Sequence, residues 1–199
     1  MTKQVVLASG STIRQTLLRN AGLPFTVVRP TVDEEMIKAS LLAEGATCHD
    51  IADALAEMKA RRVSEKQANA YVLGCDQVLE FDGQLYSKAK DKQNLISQLT
   101  QLQGKAHTLY SAAVIYDGSQ PVWRYVGKTK LQMRVLSKEF LVDYVDRNWS
   151  LVSESVGGYK IEDEGIRLFS RIEGDYFNIL GLPLTQILTF FITNKVLAS

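Results

Sequence analysis

Val5-Val6-Leu7-Ala8-Ser9-Gly10-Ser11-Thr12-Ile13-Arg14-Gln15-Thr16-Leu17-Leu18 decides how this chain is read. Val5 to Ala8 is a short apolar, β-branched run of the kind that forms a buried strand. Ser9-Gly10-Ser11 breaks it. Leu17, Leu18 and Ala21 then recur at helical spacing, and Gly22 stops the helix. A strand, a Gly/Ser loop and a helix in succession open an α/β protein. The same unit presents free backbone N–H groups at a helix N-terminus, where phosphate binds. Ser9 and Ser11 add hydroxyls, and Arg14 adds a guanidinium one turn into the helix. The plainer reading is a capping serine beside an exposed arginine.

Outward from this unit, residues 25–28 read as a second strand. Residues 33–43 and 50–66 read as helices. Asp50 is the expected cap of the second, and Ile51, Leu55 and Met58 its apolar stripe. Tyr71-Val72-Leu73-Gly74-Cys75 is a third strand, expected to end at Asp76. Asp82-Gly83 between two β-type runs signals a type I′ hairpin. Residues 91–102 form a helix with Leu95, Leu99 and Leu102 in phase. Residues 107–116 and 122–135 read as two long antiparallel strands. Ser137 caps a helix bearing Phe140, Leu141, Tyr144 and Val145, and Pro183 opens a last helix. Mixed strands and helices imply an α/β class with an appended antiparallel part.

The chain has 199 residues, 46% hydrophobic and 23% charged, with 23 Lys and Arg against 22 Asp and Glu. This is globular composition, and it excludes disorder. A net charge of +1 argues against a polynucleotide partner, which needs a cationic excess, but leaves room for a small anion. The start, Met1-Thr2-Lys3-Gln4, leads straight into the first strand without the pattern of a secretion signal. No window is apolar enough for a membrane span. Two cysteines make no disulfide framework, so the cytoplasm is the expected compartment.

Four stretches carry candidate chemistry. Asp76, read as lying just past a strand, has a carboxylate placed to hold a divalent metal or take a proton from water, or else it forms a turn. Asp33-Glu34-Glu35 opens a helix, where acids complement the dipole; one of them sharing a metal with Asp76 is the sharper reading. Lys59-Ala60-Arg61-Arg62 reads as a solvated helix face, and Lys88 follows the hairpin, where it can point back toward Asp76. Gly157-Gly158-Tyr159 permits close backbone approach to a flat ligand, or forms a turn. Cys75 reads as structural, because an apolar flank and an adjacent carboxylate raise its pKa. Gly104-Lys105-Ala106 is not a Walker loop, Cys48, His49, Cys75 and His107 lack zinc-site spacing, and no G-x-S-x-G is present.

Taken in order, these pieces resemble the Maf family of nucleoside triphosphate pyrophosphatases. They are Leu7-Ala8-Ser9-Gly10-Ser11 with Arg14, Val32-Asp33-Glu34, Lys59-Ala60 and Gly74-Cys75-Asp76-Gln77. Lys88, Gly104-Lys105-Ala106-His107, Gly158-Tyr159-Lys160-Ile161-Glu162, Gly174-Asp175 and Gly181-Leu182-Pro183-Leu184 complete the set. The resemblance implies a single elongated Maf-like (ITPase-like) α/β domain over residues 1–199. In it, two lobes flank a deep cleft beside a central mixed sheet, and the protein is often a homodimer. It implies hydrolysis of a nucleoside triphosphate to monophosphate and pyrophosphate with Mg²⁺ or Mn²⁺. Asp76 would accept the proton of water and share the metal with Glu34. Ser9, Arg14, Lys59 and Lys88 would grip the triphosphate.

Three positions depart from a common pattern. Many relatives carry Ser-Pro-Arg-Arg where this chain has Ser11-Thr12-Ile13-Arg14. The branch resembling dTTP/UTP pyrophosphatases has Arg, Thr and Gln where this chain has Ile13, Gln77 and Glu162. Gln and Glu at the last two resemble the branch acting on 7-methyl-GTP, though Ile13 replaces its aromatic. A carboxylate accepts the paired N1–H and 2-amino donors of guanine, which uracil and thymine lack. Glu162 therefore favours a purine, a methylated guanine nucleotide included. The competing expectations are a dTTP/UTP pyrophosphatase, an idle nucleotide-binding regulator of cell division, and a general phosphatase.

Overall fold

The apolar run at the head of the chain folds as β1 (Gln4–Ala8), and Thr12–Asn20 follows as α1. The computed structural model describes residues 3–198. Met1 and Thr2, which belong to the expected leaderless start, lie outside the described residues, as does Ser199. β2 (Thr26–Val27) is shorter than its apolar run. α2 (Glu34–Ala43) and α3 (Cys48–Ser64) precede β3 (Ala70–Phe81) and β4 (Gln84–Tyr86). α4 (Lys92–Leu102), β5 (Ala106–Asp117), β6 (Gln120–Met133) and α5 (Lys138–Val152) follow. The chain returns through β7 (Phe169–Glu173), α6 (Tyr176–Ile179) and α7 (Leu184–Thr193). Among the described residues no helix is long and apolar enough to cross a membrane.

The strands form one mixed sheet in the order β2-β1-β3-β5-β6-β7, with β4 beside β3. β1 runs parallel to β2 and β3, and every other pairing is antiparallel. Side chains alternate along β3, so each face of the sheet has its own core. Leu73, Cys75 and Leu79 pack with Leu95 and Leu99 of α4, Tyr144 of α5 and Ile187 of α7. Val72 and Val78 pack with Ile51, Leu55 and Ala56 of α3.

Several expectations change here. β3 does not end at Asp76 but runs five residues past it, because β5 pairs with it from Tyr71 to Glu80. Asp is disfavoured within strands, yet the ladder carries Asp76 in mid-strand. Thr47, not Asp50, caps α3; its hydroxyl accepts from Asp50 N at 3.2 Å. Met58 is exposed, and the buried stripe instead runs through Ile51, Leu55, Lys59 and Val63. β7 and α6 had no strong apolar period to announce them. Gly157 and Gly158 have φ of +82° and +67°. A Cβ on Gly158 would lie 2.0 Å from Leu95 Cδ1 and one on Gly157 2.7 Å from Leu79 Cδ1, so the pair lets the chain pack closely on α4 and β3.

Asp82 and Gly83 both have positive φ, as a type I′ turn demands. Side chains cap α2 to α6, through Asp33, Thr47, Asp91, Ser137 and Asp175 in turn. α1 is different: Ser11 makes no side-chain cap bond.

His107 is buried near the start of β5 beside the Phe169 ring, with Nε2 2.7 Å from the Tyr159 hydroxyl and, among the described residues, no partner for Nδ1. Burial pushes its pKa down to about 4. The unfolded chain therefore binds the proton first, and stability falls as pH drops from about 6.5 to about 4. The full effect is roughly 3 kcal/mol. Urea unfolding from pH 7 to 4 should show His107→Gln losing less stability than the wild type; parallel curves would exclude His107 as the source.

Candidate active site

Gly74 brings the charged centre together. A Cβ there would lie 2.2 Å from Ala56 O and 2.5 Å from Ala60 N, so the backbone of α3 rests directly on β3. Lys59 is carried in with it and is buried, which overturns the solvated-face reading for that residue, while Arg61 and Arg62 are exposed as expected. Its Nζ lies 2.6 Å from Asp76 Oδ1 and 2.7 Å from Glu34 Oε1. The acidic run divides its work: Asp33 caps α2, Glu34 turns to Lys59, and Glu35 pairs with Lys38 at 3.0 Å.

Burial pushes the Asp76 carboxyl above its ordinary range, against the pull of Lys59 and Arg14. Glu34 feels desolvation as well, but Lys59 outweighs it and holds Glu34 below the usual range. One carboxylate is thus made more basic while its neighbour is kept ionised. Asp76 Oδ1 is bound to Lys59, and Oδ2 has no partner among the described residues yet is not sealed from solvent. Both carboxylates offer hard oxygen donors to a divalent cation. Mg²⁺ characteristically takes one or two carboxylates and completes its shell with water and phosphate. Burial also drives the Cys75 thiol up to about 11, consistent with a structural role.

The cleft enters the sheet through a gap. β1 leaves β3 at Gly74, and β4 joins it only from Leu79. Between them one edge of β3 is unpaired, and a cavity of about 690 Å³ opens there. Ser9 to Arg14 line it, with the first-turn N–H groups of the uncapped α1 available to a ligand. Arg14 is largely committed to the protein. Its Nε donates to Gly181 O at 2.7 Å and Nη1 to Cys75 O at 2.9 Å and Ser9 Oγ at 3.2 Å, which leaves Nη2. Lys88 lines the same cavity from the loop after β4, where it pairs with Glu154 at 3.2 Å rather than with Asp76.

Adjacent residues of β3 serve opposite sides of this gap. Asp76 faces α3, and Gln77 faces the other core. On the Gln77 side the wall is apolar, with Leu109, Tyr159, Ile161 and Leu180; Ile13 and Glu162 line the cavity too. Three cations on the lining escaped the sequence reading: Arg29, Lys38 and Lys160. Lys38 was within reach of it, since it lies one turn beyond Glu34 on α2. Arg29 and Lys160 sit in loops without a period to place them. In all, six cationic side chains face four carboxylates on the lining, so the cleft favours an anion.

Fold and site define an α/β protein with a mixed-charge, anion-accepting cleft beside a buried carboxylate. The chain belongs to the Maf-like protein family, whose model matches residues 4–193. It is 55% identical over 197 residues, 99% of each chain, to a protein of Ruegeria pomeroyi named nucleoside triphosphate pyrophosphatase. It is 42% identical over 188 residues, 94% of each chain, to a 7-methyl-GTP pyrophosphatase of Brucella abortus. Among solved structures, a nucleoside-triphosphatase / dITP/XTP pyrophosphatase of Mycobacterium abscessus aligns over 98% of each chain at 14% identity. Its TM-score of 0.40 carries no argument.

Lys59→Met leaves Asp76 buried without its counter-charge. The expected cost is about 3 kcal/mol at pH 8, measured by urea unfolding. The raised Asp76 pKa means the cost shrinks as pH falls and the carboxyl binds a proton. Adding Asp76→Asn should recover most of the loss. A double variant as unstable as Lys59→Met alone would mean that this ion pair is not what holds Lys59 in place.

Proposed function

We propose that this chain hydrolyses a nucleoside triphosphate to the monophosphate and pyrophosphate with the aid of Mg²⁺ or Mn²⁺. The observation that carries the reading is the half-bound Asp76: Lys59 holds Oδ1, and Oδ2 faces a cleft whose other wall is an uncapped helix N-terminus. Asp76 accepts the proton of the attacking water. A new P–O bond forms at the α-phosphorus, the α–β bridge breaks, and pyrophosphate leaves. The first-turn N–H groups of α1, Ser9, Arg14 Nη2, the remaining donor of Lys59, and Lys88 released from Glu154 bind the polyphosphate. Phosphoryl chemistry needs mainly this positioning and charge neutralisation. Glu34 and Asp76 would hold the metal, which would supply further neutralisation of the phosphate oxygens.

The named activities of the Ruegeria and Brucella relatives support the reaction, and the second also supports a guanine-type base. Gln77 and Glu162 are the selecting groups on the apolar side, with Ile13 beside them. Residues 1–199 act as one domain whose two lobes are the two faces of the gapped sheet. Both cysteines are free thiols, as the reducing cytoplasm keeps them.

A pyrophosphate-release screen over ordinary and modified nucleotides, with Mg²⁺ and with Mn²⁺, tests this directly. Asp76→Asn should lower kcat at least ~100-fold while still binding nucleotide. The acid limb of the wild-type pH profile should have its midpoint above the ordinary Asp range, because the acceptor must be ionised and burial raises it. Release of orthophosphate would point to a phosphatase, and no turnover on any nucleotide would point to a regulator. Faster release from dTTP or UTP than from 7-methyl-GTP would remove the guanine preference.

A further inference from the structure

Gln77, Ser111 and Gly127 stand in one row across the sheet. Gln77 on β3 is the register partner of Ser111 on β5, and Ser111 is the partner of Gly127 on β6. All three therefore share the face that carries the apolar side of the cleft. α6 lies on this row. A Cβ on Gly127 would fall 2.3 Å from both terminal atoms of the Asn178 side chain, so the missing side chain is what admits the helix. Asp175 caps α6 by accepting from Asn178 N at 3.0 Å. The carbonyls of Asn178 and Ile179 are thereby brought down to Gln77.

The result is a directed amide. Gln77 Nε2 donates to Ser111 Oγ at 2.9 Å, to Asn178 O at 2.8 Å and to Ile179 O at 3.0 Å. Ser111 is fully buried and has committed its own proton to Asn178 O at 2.5 Å, so its oxygen has only lone pairs for Gln77. Around Nε2 there are thus three acceptors and no donor. An amide oxygen in that place would face two carbonyls and a hydroxyl with no proton to give. The orientation follows from the network itself. What remains for the cleft is Oε1, which has no partner among the described residues and is not sealed from solvent. It lies 3.7 Å from where a Cβ on Gly181, at the cavity edge, would sit.

We infer that Ser111 is a positioning residue for base selection: acting with the α6 carbonyls, it fixes Gln77 as an acceptor and excludes it as a donor. Gln77 Oε1 and the Glu162 carboxylate then line one cavity as acceptors only. A base must bring N–H donors on its recognised edge, as guanine does with N1–H and the 2-amino group. Bases whose corresponding edge accepts leave both oxygens unpaired, and an unpaired buried acceptor is costly. This rests on the reading of the cleft as a nucleoside triphosphate site.

The test is the ratio of kcat/KM for GTP to that for UTP, measured by pyrophosphate release with Mg²⁺. It is paired with metal-free binding of GMP and UMP by calorimetry. Ser111→Ala removes one of the three acceptors around Nε2 and the hydroxyl that ties down the Asn178 carbonyl, so the amide loses its fixed position. The GTP/UTP ratio should fall about tenfold, the worth of one hydrogen bond in a buried site, with the loss in the KM for GTP. The GMP/UMP affinity ratio should fall with it. Ser111→Thr keeps the hydroxyl and should keep both ratios. A Ser111→Ala protein with wild-type ratios, or one weakened equally toward both bases, overturns the inference and leaves the pyrophosphatase reading standing. A wild type without preference for the guanine nucleotide also overturns it. A wild type that releases pyrophosphate from no nucleotide overturns both.

Discussion

A single ammonium group, Lys59 Nζ, holds the working end of this molecule together. It is buried, bonded to Asp76 and Glu34, and delivered there by α3 lying on Gly74. Burying Lys59 and Asp76 with Glu34 half-buried beside them is costly, and a well-packed apolar cluster would give a more stable fold. The arrangement makes sense as a device for separating two carboxylates by basicity. Asp76 is raised by burial and Glu34 is lowered by Lys59. Without the lysine, desolvation would act on both carboxyls with nothing to oppose it on Glu34 but more distant lysines.

The sheet serves this centre by being incomplete. Because β1 stops at Gly74 and β4 begins only at Leu79, four residues of β3 have one bare edge. Backbone that would otherwise be sealed in a ladder borders an open cavity. Arg14 braces the opening by tying the first loop, the Cys75 carbonyl and the Gly181 carbonyl to one side chain. This part of the cleft is thus held by hydrogen bonds within the protein, and a ligand has little ordering left to impose on it.

Much of the architecture was legible from local signals. Apolar period, cap residues and the Asp82-Gly83 turn located the elements other than the short β7 and α6 to within a few residues, the far end of β3 apart, since each of these rules acts over a handful of positions. The failures have a common cause in tertiary contact. Asp76 reads as a strand end because a charge interrupts the run, yet Lys59 on another element makes that charge tolerable in mid-strand. Lys59 reads as solvated because Met58 looks like part of the stripe; the true stripe is displaced by one residue and contains the lysine. Ser111 and Gly127 attract no notice in a sequence, since their value lies in facing Gln77 and Asn178 across the sheet. The charged ends of the site were visible as ordered motifs, whereas Arg29, Lys38 and Lys160 became site residues only once the loops were closed around the cavity.

The pleat of β3 has one more consequence. Asp76 and Gln77 are neighbours in the chain but point to opposite faces, which on the proposed function are the side of the triphosphate and the side of the base. Substitution on the Gln77 side, including the buried row behind it, can alter which nucleotide is accepted while the hydrolytic apparatus across the sheet stays intact. A lineage built on this strand can change its diet without rebuilding its teeth. Such insulation gives one scaffold room to diverge into enzymes for different aberrant nucleotides.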